Sequence, residues 1–288
     1  MNDFHRQQWS IQVSDGYSIS CHHWQPSTTP ALCRIMILHG IQSHAGWYAH
    51  LAENLVQHGI EVLMPDRRGS GANPIDRGHA ASTHRLIDDL SEINVAWNLR
   101  SDNPQLPFLG GISWGGKLAA IAVSKLPETF AGLALIAPGL FASVRPPVIT
   151  QFKIAVSALL CPKKRFDIPL ADASLFTSQP HWQTFIETDP VTLHQATARF
   201  FIVSRILDLR LRRIKKSLSL PILLQTAGAD RIVNNKKIIT YISSLPSLEK
   251  SLIDYPGAHH TLEFEPEPVV TQYAIDLKNW LLRHTGKS

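Results

Sequence analysis

Gly111-Ile112-Ser113-Trp114-Gly115 fits the pattern G-x-S-x-G at the junction of a strand-like run (LPFLG) and a helix-like one (GKLAAIAVSKL). A serine at so sharp a turn takes a strained backbone conformation, and the glycines on either side let strand and helix pass without a Cβ clash. The hydroxyl then projects at a helix N-terminus, where the dipole favours a developing oxyanion. A serine hydroxyl is a weak nucleophile at neutral pH, so the chemistry needs an imidazole to take its proton and a carboxylate to orient that imidazole. Both residue types occur downstream, each after a strand-like run. PILLQTAGA reads as a strand entering a small-residue turn and is followed by Asp230. Leu252 to Tyr255 is followed by Pro256-Gly257-Ala258-His259-His260. Helix capping competes for the acid, since Asp230 or Asn234 can start the helix through Ile238, Ile239 and Ile242. The paired histidines leave the base open between His259 and His260.

The elements that must position these side chains follow from hydrophobic periodicity. Trp9 to Val13 and Tyr17 to Trp24 flank Asp15-Gly16 as a hairpin, so antiparallel strands open the sheet. Apolar runs follow at Ile35 to Leu38, Ile60 to Met64, Leu106 to Leu109, Leu133 to Ala137, Ile222 to Leu224 and Leu252 to Tyr255. Such runs suit parallel strands buried on both faces. Helical faces lie between them: Trp47, Leu51 and Leu55; Leu86, Leu90, Ile93 and Trp97; Val270, Tyr273, Leu277 and Leu281. The expected fold is α/β, a mainly parallel central sheet flanked by helices. The alternation breaks between about Leu140 and Leu220, where Pro146-Pro147, Pro162 and Pro169 punctuate a helical-looking stretch. Leu193, Ala196, Phe200, Val203, Leu207 and Leu211 continue one helix face there. The expectation is a core of residues 1–139 and 218–288 with a helical cap, 140–217, over the carboxyl edge of the sheet.

The chain resembles the α/β-hydrolases, and within them the group of monoacylglycerol lipases, lysophospholipases and serine aminopeptidases. The resemblance spans nearly the whole sequence and is weakest in the insertion. It implies the chain order Ser113, Asp230, base, with Gly228 to Val233 similar to the family's acid loop. The family pattern G-A-x-H places the base at His260 and leaves His259 at the rim. Leu38-His39-Gly40 resembles the family's oxyanion strand end, which implies that the backbone N–H groups of Ile41 and Trp114 form the oxyanion hole. His39 then holds the loop by hydrogen bonds. Pro65 to Gly71 resembles the family's D-x-R-G-x-G loop, whose charges order the rim. A serine nucleophile argues against the haloalkane dehalogenases and epoxide hydrolases of the same fold, which use aspartate there. The activity implied is an esterase needing no cofactor, with an acyl ester, possibly lipid-derived, as its small-molecule substrate. Two other readings stand beside it: a proline-iminopeptidase-like amidase, and a catalytically silent binding protein on the same fold.

Composition narrows the remaining classes. The 288 residues carry a formal charge of +5, much of it in Lys163-Lys164-Arg165 and Arg210 to Lys216. No nucleic-acid-binding motif accompanies these clusters, so no nucleic-acid partner is expected. Cys21, Cys33 and Cys161 form no C-x-x-C pair, and no H-E-x-x-H or other ligand spacing marks a metal site. Gly115-Gly116-Lys117 is followed by Leu118 rather than the Ser or Thr of a phosphate loop. The first residues lack a signal-peptide pattern and no apolar run reaches roughly 18 residues, so a cytoplasmic protein is expected. Val148 to Leu160 (VITQFKIAVSALL) is strongly apolar and ends at a basic cluster. That pattern suits a cap helix packed on the core, or one whose apolar face lines an acyl tunnel or touches a membrane.

Overall fold

The hairpin at Asp15-Gly16 joins β1 (Phe4–Gln12) to β2 (Ser18–Pro26), paired antiparallel, in a computed structural model that describes residues 4–27, 30–214 and 218–286. Gly16 sits at φ +81°, a left-handed conformation that glycine adopts without strain. From there the chain builds β3 (Cys33–Leu38), β4 (Ile60–Pro65), β5 (Phe108–Ile112) and β6 (Leu133–Ile136). It leaves the sheet through a ribbon of β7 (Arg165–Asp167) and β8 (Gln195–Thr197), then returns with β9 (Ile222–Ala227) and β10 (Lys250–Tyr255). The eight-stranded sheet has the order β1-β2-β4-β3-β5-β6-β9-β10. Only β2 runs against the rest, antiparallel to both β1 and β4, and every pairing from β4 to β10 is parallel.

Crossover helices follow the apolar faces in the sequence. Leu51 and Leu55 are buried on α1 (Ala49–Gln57), with Trp47 buried in the short turn of helix before it. Ser82 caps α2 (Thr83–Asn98) by accepting from the Arg85 amide, and Leu86, Leu90, Ile93 and Trp97 form its buried face. α3 (Trp114–Lys125) runs directly behind β5. Between β6 and β9 lie α4 (Val148–Leu160), α5 (Pro180–Thr188) and α6 (Ala198–Arg213), with α6 resting on both α3 and α4. α7 (Asn235–Ser243) and α8 (Val269–His284) complete the layers.

Three details depart from the periodicity. Leu193 and Ala196 are buried but precede α6: residues 195–197 pair with β7, and Thr197 caps the helix by accepting from the Phe200 amide. Their three- and four-residue spacing mimics a helix face that the extended backbone of Thr197 interrupts. Strand β5 starts at Phe108, since Pro107 supplies no amide to the ladder, and Leu106 is exposed. β10 is the sheet edge rather than a doubly covered strand, which leaves Leu252 51% exposed. Arg210, Arg212 and Arg213 of the second basic cluster fall in the last turn of α6, while Lys215 and Lys216 lie outside the described residues.

Candidate active site

Ser113 sits between β5 and α3 at φ 51° and ψ −123°, a conformation costly for any residue with a Cβ. Its backbone is held there from three directions. Ser113 N donates to the Ile136 carbonyl at 3.1 Å, and its own carbonyl accepts from Gly116 at 2.9 Å and Gly139 at 2.7 Å. A Cβ on Gly115 would lie 2.2 Å from the Leu38 carbonyl oxygen, and one on Gly111 2.6 Å from the Gly116 Cα. The two glycines of the motif therefore permit the turn that the serine requires.

The turn aims Ser113 Oγ at His260 Nε2, 2.7 Å away, and His260 Nδ1 lies 2.6 Å from Asp230 Oδ2. With Nδ1–H donating to the carboxylate, Nε2 is left to accept the hydroxyl proton. The His260 side chain is 2% exposed and that of Asp230 is fully buried. The other Asp230 oxygen accepts from the amides of Ile232 at 2.8 Å and Val233 at 3.1 Å, which fixes the carboxylate. Asn234 takes the capping role instead, accepting from Lys237 N at the start of α7. The sheet brings these groups together because β5, β6, β9 and β10 are neighbours, so the loops after β5, β9 and β10 converge at one edge. His259 turns away and faces Glu265 at 3.4 Å.

The loop after β3 closes the site. Gly40 approaches Ser113 so closely that a Cβ there would meet the Ser113 Cβ at 3.3 Å. Among the described residues, the amides of Ile41 and Trp114 donate to no protein acceptor. His39 Nδ1–H donates to the Gly40 carbonyl at 2.8 Å, and its Nε2 accepts from Arg67 N at 2.9 Å. Burial drives His39 down to about 3, so its ring is neutral and free to accept that amide. Arg67 donates to the Gly40 carbonyl at 3.0 Å and the Ile41 carbonyl at 3.1 Å, with its guanidinium over the rings of Trp114 and Phe200. Burial lowers Arg67 to about 9, so it remains charged at neutral pH. Arg68 points elsewhere, pairing with Asp89 at 2.7 Å and Asp15 at 3.0 Å. Asp66 accepts from the amides of Ala45 and Ala72. The motif's charges thus order the loops, as the sequence suggests, but the two adjacent arginines divide the task.

A family model described as serine aminopeptidase, S33, matches residues 30–267. The chain belongs to that family. A monoglyceride lipase of Rattus norvegicus is 28% identical over 93% of this chain and 88% of its own length. A phospholipase of Bacillus subtilis is 24% identical over 81% of this chain and 89% of its own. The crystal structure of a monoacylglycerol lipase from Paleococcus ferrophilus superposes with a TM-score of 0.81, at 21% identity, covering 97% of this chain and 99% of the other. The fold is that of an α/β-hydrolase.

Like the sequence motif, the space around the serine in this S33-family chain is divided. A cavity of about 390 Å³ opens between residues 140–212 and the sheet edge, with Ser113, Ile41 and Trp114 at its inner end. Leu140, Val144, Ile154, Ile168, Leu170 and Ile232 supply its apolar wall. His260, Ser43 and Tyr48 line a smaller recess of about 10 Å³ that shares Ser113 and Ile41 with the cavity. Sequence reasoning missed the grip of Arg67 on the loop after β3, although a second arginine ahead of the motif's own Arg68 was a visible signal. It also missed Lys117, four residues past the serine and therefore on the same face of α3.

Proposed function

We propose that this hydrolase cleaves carboxylic esters of lipid type, monoacylglycerols or lysophospholipids, through an acyl-enzyme on Ser113. The observation that carries the reading is the unbroken hydrogen-bonded chain from Ser113 Oγ through His260 to Asp230 at the inner end of an apolar-walled cavity. Ser113 Oγ attacks the ester carbonyl carbon as its proton passes to His260 Nε2. The carbonyl electron pair moves onto oxygen, and the amides of Ile41 and Trp114 receive that oxyanion. Collapse breaks the bond to the alcohol oxygen, which takes the proton back from His260. Water then attacks the acyl-enzyme with His260 again as base, releasing the acid and restoring Ser113. Asp230 stays ionised and holds the imidazolium.

Segment 140–217 acts as the cap in this scheme, shielding the acyl-enzyme from bulk water and selecting the chain. The names of the rat and Bacillus relatives support a glyceride or phospholipid ester as substrate. Helix α4 adds a second support. Val148, Ile149, Phe152, Val156, Leu159 and Leu160 are exposed along it, while Ile154 faces the cavity. An exposed apolar stripe followed by Lys163 and Lys164 suits peripheral contact with an anionic lipid surface. Among the described residues, no helix is long and apolar enough to cross a membrane. We place the protein in the cytoplasm on its three unpaired cysteines. An aminopeptidase needs a free carboxylate for the substrate's ammonium group, but Asp208, the carboxylate among the residues lining the cavity, is already held by Lys117.

The test is a series of p-nitrophenyl esters from acetyl to palmitoyl, alongside monoacylglycerol, lysophospholipid and aminoacyl amides. Each buried methylene contributes about 0.8 kcal/mol until the cavity is full, so kcat/KM should climb roughly threefold or more per methylene to an optimum at medium or long chain. Activity highest on acetyl esters with none on the lipids, or a preference for aminoacyl amides, overturns the lipid-ester reading.

A further inference from the structure

The cavity on which Ser113 opens is lined by charged side chains as well as apolar ones. Lys117 rises from α3 one turn beyond Ser113, roughly 6 Å further along the helix axis. It is 4% exposed, and its ammonium donates to Asp208 Oδ1 at 2.5 Å. Arg205, Asp208 and Arg212 recur at the three- and four-residue spacing that places them on one face of α6, and all three line the cavity. Arg145 lines it from the loop before α4. Four cations and one carboxylate thus meet in this lining, and because Lys117 and Asp208 neutralise each other, three guanidiniums are left over. Arg145 Nε donates to the Ala142 carbonyl, whereas the side chains of Arg205 and Arg212, solvent-exposed like that of Arg145, have no hydrogen bond or ion pair among the described residues. A purely aliphatic chain makes no use of such a lining.

The direction of the substrate decides which part of it meets these groups. The recess beside His260, about 10 Å³, has room for no more than about one water, whereas the cavity of about 390 Å³ that Ser113 also opens on takes a long chain. The cavity therefore receives the acyl side. Resting on the ester-hydrolase reading, we propose that the acyl cavity binds chains ending in an anionic group, so that ω-carboxy acyl esters are preferred substrates. The chain's methylenes lie along Ile154, Ile168 and Leu170, and its terminal carboxylate is received by Arg205 and Arg212, with Arg145 beside them. Arginine suits this role because its planar fork matches both carboxylate oxygens and remains charged throughout the working pH range. The Lys117–Asp208 pair orders the wall: it ties α3 of the core to α6 above it and aims the α6 face into the cavity.

The experiment compares p-nitrophenyl half-esters of the dicarboxylic acids from succinate to dodecanedioate with methyl-terminated esters of the same length. At one chain length the wild type should favour the anionic ester on the order of tenfold or more in kcat/KM, the range of charge-assisted hydrogen bonds. In the double variant Arg205→Ala/Arg212→Ala that ratio should fall toward one. Binding of the monomethyl half-ester of the same diacid to Ser113→Ala protein, followed by calorimetry against the methyl ester of the matching monocarboxylic acid, gives a readout independent of turnover. If no ester is hydrolysed but the half-ester still binds in an arginine-dependent way, the catalytic reading fails and the anion site stands. An anionic-to-neutral ratio of one or less at every length, or one unchanged in the double variant, overturns the proposal. So does an anion preference seen only when the charge is on the alcohol, as with monoacylglycerol 3-phosphate against monoacylglycerol.

Discussion

Arg67 holds the carbonyl oxygen of Gly40 at 3.0 Å, and that carbonyl belongs to the same peptide plane as the N–H of Ile41. A trans peptide points its C=O and N–H in opposite directions, so gripping the oxygen aims the amide. The His39 ring grips the same oxygen from Nδ1, and Arg67 anchors the next carbonyl as well. Arg67→Leu should therefore lower kcat on ester substrates on the order of tenfold to a hundredfold with KM little changed, since a misaimed oxyanion donor is felt in the transition state. A boronic-acid transition-state analogue should lose affinity in parallel with kcat, while binding of an unreactive substrate analogue stays close to wild type. Equal losses in both ligands would mark a general loosening of the site instead.

The adjacent histidines give a second prediction. His260 contacts both Ser113 and Asp230, whereas His259 faces Glu265. His260→Ala should lower ester turnover on the order of 10³-fold or more and leave the circular dichroism spectrum unchanged. His259→Ala should cost tenfold or less. The reverse ranking in a steady-state assay would move the base to His259.

The hydroxyl, carboxylate and imidazole were legible in the sequence because each requirement leaves a local mark: glycines around a strained serine, and an acid and a histidine after successive strands. The choice of His260 over His259 came from the family pattern, and the geometry places His260 on the serine. Helix existence was legible from apolar spacing, but the start of α6 was not. Leu193 and Ala196 obey helical spacing while lying ahead of the helix, in loop and strand, because burial alone sets their identity and Thr197 decides where the helix begins. The exposure of Leu252 was equally hidden, since strand order, and hence which strand is the edge, is a tertiary property. The contacts of Arg67 with Gly40 and of Lys117 with Asp208 span long stretches of chain, and no window of sequence contains both partners.

Glu263, three residues beyond His260, makes stability depend on pH. It accepts from the Leu51 amide at 3.2 Å and is hydrogen-bonded to the Tyr273 hydroxyl, yet burial raises it from 4.5 to about 7. As pH rises through this window the unfolded chain loses its proton first, so the native state binds more protons and stability falls until about pH 7. Urea unfolding at about pH 5 and about pH 8 should show this step, of about 1 to 3 kcal/mol, in the wild type. Glu263→Gln keeps an acceptor but cannot ionise, so its step should be smaller by that amount. An identical pH dependence in the two proteins would mean that Glu263 ionises normally in the fold.

Ser113, activated by His260 and Asp230, is the proposed nucleophile. Intact-protein mass spectrometry with a fluorophosphonate probe tests it most directly, because the probe bonds covalently only to an activated serine. The wild type should carry a single adduct, mapped by peptide analysis to Ser113, with no adduct on Ser113→Ala and labelling of His260→Ala slowed on the order of 10²-fold or more. A wild-type protein that takes up no probe, or an adduct that persists when Ser113 is replaced by alanine, would contradict it.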